Sequence, residues 1–297
     1  MTTELTRKDL LTAAGTVGVV GVGGVGVAGL IGLTDGPEPA AEPVIEVARS
    51  RVTLPVAEPG SDAWNDAPES IVPLLAQRVA PPYLDAVGAS ELSVRALTDG
   101  GNLALRLSWE DASVDDLDGV RRYHDAVAVM LPTRAGKAPA ITMGAGGEAV
   151  HILQWRATWQ RDLAGKSGVD QIYPRVVHDV MPDDILPPAT AARYWVGRAA
   201  GNPLSQAKRT TPIEQIVAEG FGTTTHLRRD DANGRGEHDG KRWAVSLGFP
   251  VARDGIGEPI GADGDWSVAF AVWLGQRLNR GGRKHYATWV PLRWTTG

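Results

Sequence analysis

Cysteine is absent from all 297 residues. That excludes disulfides, thiolate-held zinc, iron–sulfur clusters ligated by this chain, covalently attached haem and a lipidated N-terminal cysteine. Histidine is sparse. The six, at 124, 151, 178, 226, 238 and 285, include no pair within five residues, so H-x-x-x-H and H-E-x-x-H spacings do not occur. A histidine metal centre would have to be assembled through space. No G-x-S-x-G elbow is present. Basic residues are not in excess either: 30 Lys and Arg stand against 35 Asp and Glu, which gives no support to nucleic-acid binding. The acidic runs "EDASVDD" and "RRDD" read as solvated loops, or at most a weak calcium site. Phenylalanine is scarce at three, whereas tryptophan, at ten, is unusually common and falls mostly in strand-like stretches.

Charge is missing altogether from residues 10–33, "LLTAAGTVGVVGVGGVGVAGLIGL". A helix of about 20 apolar residues spans a bilayer. Arg7 and Lys8 precede the run and the acidic "TDGPEPAAEP" follows, an arrangement that puts the N-terminus inside and the body outside. "TRKDLL" is a loose, one-lysine variant of a twin-arginine export signal. The run also contains Gly21, Gly23 and Gly26 in G-x-G-x-x-G spacing, but that motif binds a dinucleotide only between a strand and a helix, and this one is followed by a proline-rich linker. "GAGGEA" at 144–149 fails the same test. Residues 1–35 are therefore read as an export signal or membrane anchor, expected to remain uncleaved. Residues 36–43 form a linker and 44–297 a single domain. The body is expected to be extracytoplasmic.

Past the linker, short strand-like runs follow one another between Gly, Pro and Asp turns. They are 44–54, 91–99, 102–111, 125–131, 148–155, 193–197, 242–251, 265–275 and the C-terminal stretch from 279. Gly100-Gly101 marks a hairpin between the second and third. Only "PIEQIVAEG" (212–220) and the stretch 150–163, which overlaps the strand-like 148–155, suggest helix. The pattern predicts an all-β antiparallel sandwich with a few short helices, preceded by the N-terminal hydrophobic helix.

Two residues stand out for chemistry. Met143 lies in "APAITMGAGGEAVHILQW", a loop ahead of a strand, with glycines that allow a flat molecule near the backbone. A thioether there is a soft ligand suited to haem iron. Lys284 lies in "NRGGRKHYATWVPLRW" (279–294). Strand alternation puts it on one face with Tyr286, Thr288, Val290, Leu292 and Trp294, while His285 points the other way. A lysine at a strand start commonly snorkels to solvent. Held without a partner, however, it becomes a neutral amine able to bind metal. Residue chemistry alone leaves both readings open.

The ordered set "AWNDAP" (63–68), "VPLLAQ" (72–77), "LSVRALTDGGNLALRLSWED" (92–111), "DAVAVMLP" (125–132), "MGAGGEAVHILQW" (143–155), "GNPLS" (201–205), "EGFGT" (219–223), "WSVAFAVWLG" (266–275) and "GGRKHYATWVPL" (281–292) resembles the haem b-binding γ subunits of ethylbenzene dehydrogenase, dimethylsulfide dehydrogenase and the selenate and chlorate reductases. The resemblance covers almost everything after residue 60. It implies a β-sandwich holding one noncovalent low-spin haem b, with Met143 and Lys284 as axial ligands and Trp155 lining the pocket. It further implies a non-catalytic electron-transfer subunit. Its partners would be a molybdenum catalytic subunit, an iron–sulfur subunit and an external carrier, a cytochrome c or a quinone system. Tethering to the outer face of the cytoplasmic membrane would come from the N-terminal helix. Two other readings are a cofactor-free anchoring or assembly subunit and an extracellular carbohydrate-binding sandwich with exposed tryptophans.

Overall fold

The computed structural model describes residues 42–295 except 137, 166–168, 176–185 and 207–208. The apolar N-terminal run, most of the linker, His178 and Met181 lie outside the described residues. Among the described residues no helix is long and apolar enough to cross a membrane.

The strands are β1 (Ile45–Arg49), β2 (Ser70–Pro73), β3 (Leu75–Ala76), β4 (Glu91–Thr98), β5 (Asn102–Glu110), β6 (Ala126–Pro132), β7 (Val150–Arg156), β8 (Ile213–Ala218), β9 (Thr225–His226), β10 (Asn233–His238), β11 (Arg242–Pro250), β12 (Trp266–Trp273), β13 (His285–Tyr286) and β14 (Val290–Trp294). One hydrogen-bonded path runs β10-β11-β5-β4-β1-β14-β12-β6-β7-β8-β9. β12 turns the corner in this path: Trp266–Val268 pair with β14, and Ala269–Trp273 pair with β6. The sheet thus curls, and its two halves close on a common core. From β4, β5 and β11 come Leu92, Val94, Leu105, Leu107, Trp109, Trp243 and Leu247; facing them are Val127, Val129, Leu131, Leu153, Trp155, Val268 and Phe270 of β6, β7 and β12.

The architecture departs from the expected antiparallel sandwich in one respect. β1 pairs in parallel with both β4 and β14, so the sheet is mixed. Two local readings are also overturned. "PIEQIVAEG" is β8, not helix, because it is wedged between β7 and β9 and buried on both faces, and a strand so placed shows no alternation. Its Ile213, Ile216 and Val217 imitate helical spacing only by coincidence. Residues 193–197, expected as strand, form the end of a 3₁₀ turn and the start of a short helix, Val196–Ala199. Of the stretch 150–163 that suggested helix, Val150–Arg156 is strand β7 and only Ala157–Leu163 is helix, α1, which follows it directly.

Candidate functional site

The second half of the sheet is apolar on both sides. On β6 the odd positions face the central core, and Ala126, Ala128 and Met130 face outward. On β12 the outward set is Ala269, Ala271 and Trp273; on β7 and β8 it is Val150, Ile152, Ile216 and Ala218. A solvated outer face would carry polar residues here. Instead this face floors a cavity of about 440 Å³, within the size range of cofactor sites. Its roof comes from three loops, around Pro81, Met143 and Phe221, and from the turn leading into β13. Ala128, Ala269 and Ala271 keep the floor low, since each side chain is a single methyl group.

Met143 and Lys284 both line this cavity. Met143 has φ 68°, the left-handed region that methionine rarely enters. Surrounding contacts hold it there: Gly144 N–H donates to Ala140 O at 2.9 Å, and Gly220 N–H donates to Met143 O at 2.8 Å. Gly144, at φ 84°, has no room for a side chain, because a Cβ would lie 2.4 Å from Glu148 O. Trp289 Nε1 donates to Pro139 O at 2.8 Å and fastens the start of the loop to the segment between β13 and β14. A backbone held against its own preference beside a cavity is the kind of strain that accumulates at functional sites.

Lys284 is partly buried, and desolvation alone pushes its ammonium down to about 8. Among the described residues no carboxylate pairs with it; Nζ rests 5.3 Å from the centroid of the Trp273 ring. The expected face of alternating residues does not run on unbroken. The strand breaks at Ala287–Trp289, so Lys284 and Tyr286 face the cavity while Val290 and Leu292 face the central core. His285 does point away. Its Nε2 accepts from Gly88 N at 2.7 Å and Ala89 N at 3.3 Å, so the proton is on Nδ1 and is donated to Val272 O at 3.3 Å. Burial pushes its pKa down, and it serves as a neutral structural pin.

Trp155 is not brought to the cavity. It lies on the opposite face of β7, fully buried in the central core, 5.0 Å from Trp243, with its Nε1 donating to Gln160. The β7 residues that do reach the cavity are Ile152 and Gln154. The alanine floor, Gln77, Trp273 and Tyr286 also line it without having been singled out. For the floor, the available signal was the lack of any polar face in "DAVAVML" and "WSVAFAVW". Among the described residues no group of three or more His, Asp or Glu is arranged to hold a metal ion.

Fold and site together define a curled β-sheet protein with a largely apolar cavity lined by one thioether and one desolvated amine. The family model described as ethylbenzene dehydrogenase matches residues 61–285, a span that includes both Met143 and Lys284, and the chain belongs to that family. It is 24% identical over 269 residues, 87% of this chain and 79% of the other, to a protein of Haloferax mediterranei named as a respiratory nitrate reductase heme subunit. It is 23% identical over 264 residues, 87% of each chain, to the chlorate reductase gamma subunit of Ideonella dechloratans. Among solved structures, a family 9 carbohydrate-binding module from Caldicellulosiruptor kristjanssonii shares 8% identity at a TM-score of 0.40, covering 85% of this chain and 96% of that one.

Proposed function

We propose that this chain is the haem-carrying electron-transfer subunit of a molybdenum oxidoreductase complex, with Met143 and Lys284 as the axial ligands of one noncovalent haem b. The observation that carries the reading is the convergence of these two residues, far apart in sequence, on one alanine-floored cavity. The residues fit the group. The walls are apolar, the floor is low enough for a flat ring, and among the described residues the one cation lining the cavity is an amine that no carboxylate neutralises. A desolvated ammonium without a partner is costly, and giving up its proton to bind a metal removes that cost.

Haem, when bound, supplies one-electron Fe(III)/Fe(II) chemistry. The chain's residues set the conditions for it. Met143 and Lys284 would hold the iron through a thioether and an amine, and with both bound it would have no open position for substrate or oxygen, which would favour electron transfer over bond chemistry. The apolar walls exclude water. With no cysteine available, this chain supplies no thiolates for an iron–sulfur cluster, and such clusters, with the molybdenum centre, would belong to partner subunits; the two relatives are themselves named as subunits. Electrons would pass between an iron–sulfur partner and an external carrier such as a cytochrome c or a quinone system. We place the body outside the cytoplasmic membrane, tethered by residues 10–33, on the charge pattern of the N-terminus. The sugar-binding alternative needs an exposed aromatic platform, and all ten tryptophans are buried or half-buried.

The test is a reduced-minus-oxidised visible spectrum of the purified chain, with a pyridine haemochrome assay on the same sample. Sharp low-spin α and β bands with one haem b per chain are expected. A colourless protein, expressed with haem available, would refute the reading and favour a cofactor-free assembly subunit.

A further inference from the structure

Lys284 follows Gly281-Gly282, and glycines of this kind leave the chain free to wander. Something outside the turn must fix where the lysine stands. Trp273 supplies one anchor, its Nε1 donating to Gly281 O at 3.0 Å. The other is Gln77, just beyond the β3–β13 pair in which Ala76 stands opposite His285. Gln77 is buried and lines the cavity. Its backbone N–H donates to Lys284 O at 3.0 Å, and its backbone oxygen accepts from Leu84 N at 2.8 Å.

The Gln77 side chain is fully used. Oε1 accepts from Val79 N at 2.6 Å and Ala80 N at 2.9 Å. Nε2 donates to Ala80 O at 2.7 Å and Gly282 O at 2.8 Å, with Pro82 O at 3.3 Å as a weaker third acceptor. One amide therefore shapes the strap 78–82 that roofs the cavity and ties that strap to the turn carrying the lysine. The two pieces also touch: a Cβ on Gly282 would lie 3.0 Å from Pro82 Cδ. No other amino acid of this length offers both two acceptor sites and two donors.

We propose that Gln77 is the positioning residue for Lys284, holding the lysine and the 78–82 strap in the arrangement that presents the amine to the cavity. The proposal rests on the haem reading for its consequence but not for its test.

The test uses the full chain with Gln77→Met, which keeps length and removes every side-chain hydrogen bond, and Gln77→Glu, which sets a carboxylate against carbonyl oxygens. Gly282→Ala, whose Cβ would press on Pro82 Cδ at 3.0 Å and meet Gln77 Nε2 only at an ordinary contact distance of 3.4 Å, leaves the Gln77 amide in place and is the second route to the same joint. In haem-free protein, acetylation of Lys284 by an N-hydroxysuccinimide ester is followed by peptide mass spectrometry, with exposed Lys241 as internal reference. Relative to Lys241, labelling of Lys284 is expected to quicken about tenfold in Gln77→Met, the scale of losing one or two buried hydrogen bonds. Gly282→Ala is expected to give a smaller rise in the same direction. In haem-loaded protein, Gln77→Met should show a high-spin fraction that added imidazole returns to low spin. Unchanged labelling in all three folded variants overturns the proposal, as does a wild-type spectrum in Gln77→Met. A colourless wild type would refute the haem reading alone, and the labelling ratio would still decide the role of Gln77.

Discussion

Ala128 on β6 and Ala271 on β12 stand directly opposite one another in the ladder, and both turn their methyl groups into the cavity. The neighbouring pairs Val127–Val272 and Val129–Phe270 turn into the central core. At these positions the two strands give valine and phenylalanine to the core and alanine to the cavity floor, while Met130 and Trp273 of the same outward face also line the cavity. Residue size, more than residue polarity, separates the two faces at the middle of these strands.

Filling the floor should separate cofactor binding from folding. Ala271→Leu places a larger side chain in existing space, so the haem-free chain is expected to melt at the wild-type temperature or slightly above it. Haem content after expression with haem available should fall to a small fraction of wild type, measured as pyridine haemochrome per chain. Full haem occupancy in this variant would mean that the cavity is not the haem site.

The two proposed ligands can be tested against each other. Lys284→Leu removes a desolvated cation, so the haem-free variant should be at least as stable as wild type, whereas haem bound to it should lose the low-spin spectrum. Met143→Ala should also lose it. Because a thioether favours the reduced metal, any haem retained by Met143→Ala should have a lower potential than wild type. Redox titration and visible spectra of the two variants check this, and a wild-type spectrum in either one removes that residue from the ligand set.

Much of this was legible in the chain, for physical reasons specific to each element. The β4–β5 hairpin announced itself through Gly100-Gly101 and the alternation around it, because a turn with φ 96° needs glycine. β10, "NGRGEH", gave no such signal: its glycines make room for neighbours, and a Cβ on Gly236 would lie 2.3 Å from the Trp155 ring. Met143 and Lys284 were singled out through residue chemistry and a family resemblance, and the structure puts both in the lining of one cavity. Trp155 was expected beside them because it ends the strand after the methionine loop. Strand parity decided otherwise, since 152 and 154 face the cavity and 153 and 155 face the core. Gln77 was invisible, because its role depends on two segments that only the β3–β13 pairing brings together.

The placement of Trp155 has its own consequence. Trp155→Ala empties a packed site between Trp243 and Gly236, and such truncations cost about 3–5 kcal/mol. Denaturant unfolding should show that loss. The folded fraction should still bind haem with an unaltered low-spin spectrum, because the side chain lies on the far side of β7. A shifted spectrum in folded Trp155→Ala would return this residue to the haem site.

Asp125 governs the pH dependence of the scaffold away from the cavity. Its carboxylate is buried at the start of β6 and accepts from Asp115 N at 2.8 Å, Gly275 N at 2.8 Å and Trp243 Nε1 at 3.0 Å. Burial pushes its pKa up to about 7, and the nearby Asp111 carboxylate adds to the rise against the lowering effect of those donors. A carboxyl raised above its unfolded value of 3.8 contributes stability that is complete below that value and is lost as pH climbs through about 7. His151 opposes this over part of the range. Buried and pushed down to about 4, it contributes stability that is lost as pH falls through that value. The two are separated by comparing wild type with Asp125→Asn. The amide cannot ionise, so the difference in unfolding free energy between the two proteins should change between pH 4 and 7, with wild type losing ground as pH rises. The variant also turns an amide donor toward backbone and indole N–H groups, a buried mismatch of about 1–3 kcal/mol that lowers its stability at every pH. Urea unfolding from pH 4 to 8 measures both effects. A difference independent of pH would show that Asp125 keeps an ordinary carboxylate pKa in the folded protein, its three donors outweighing burial.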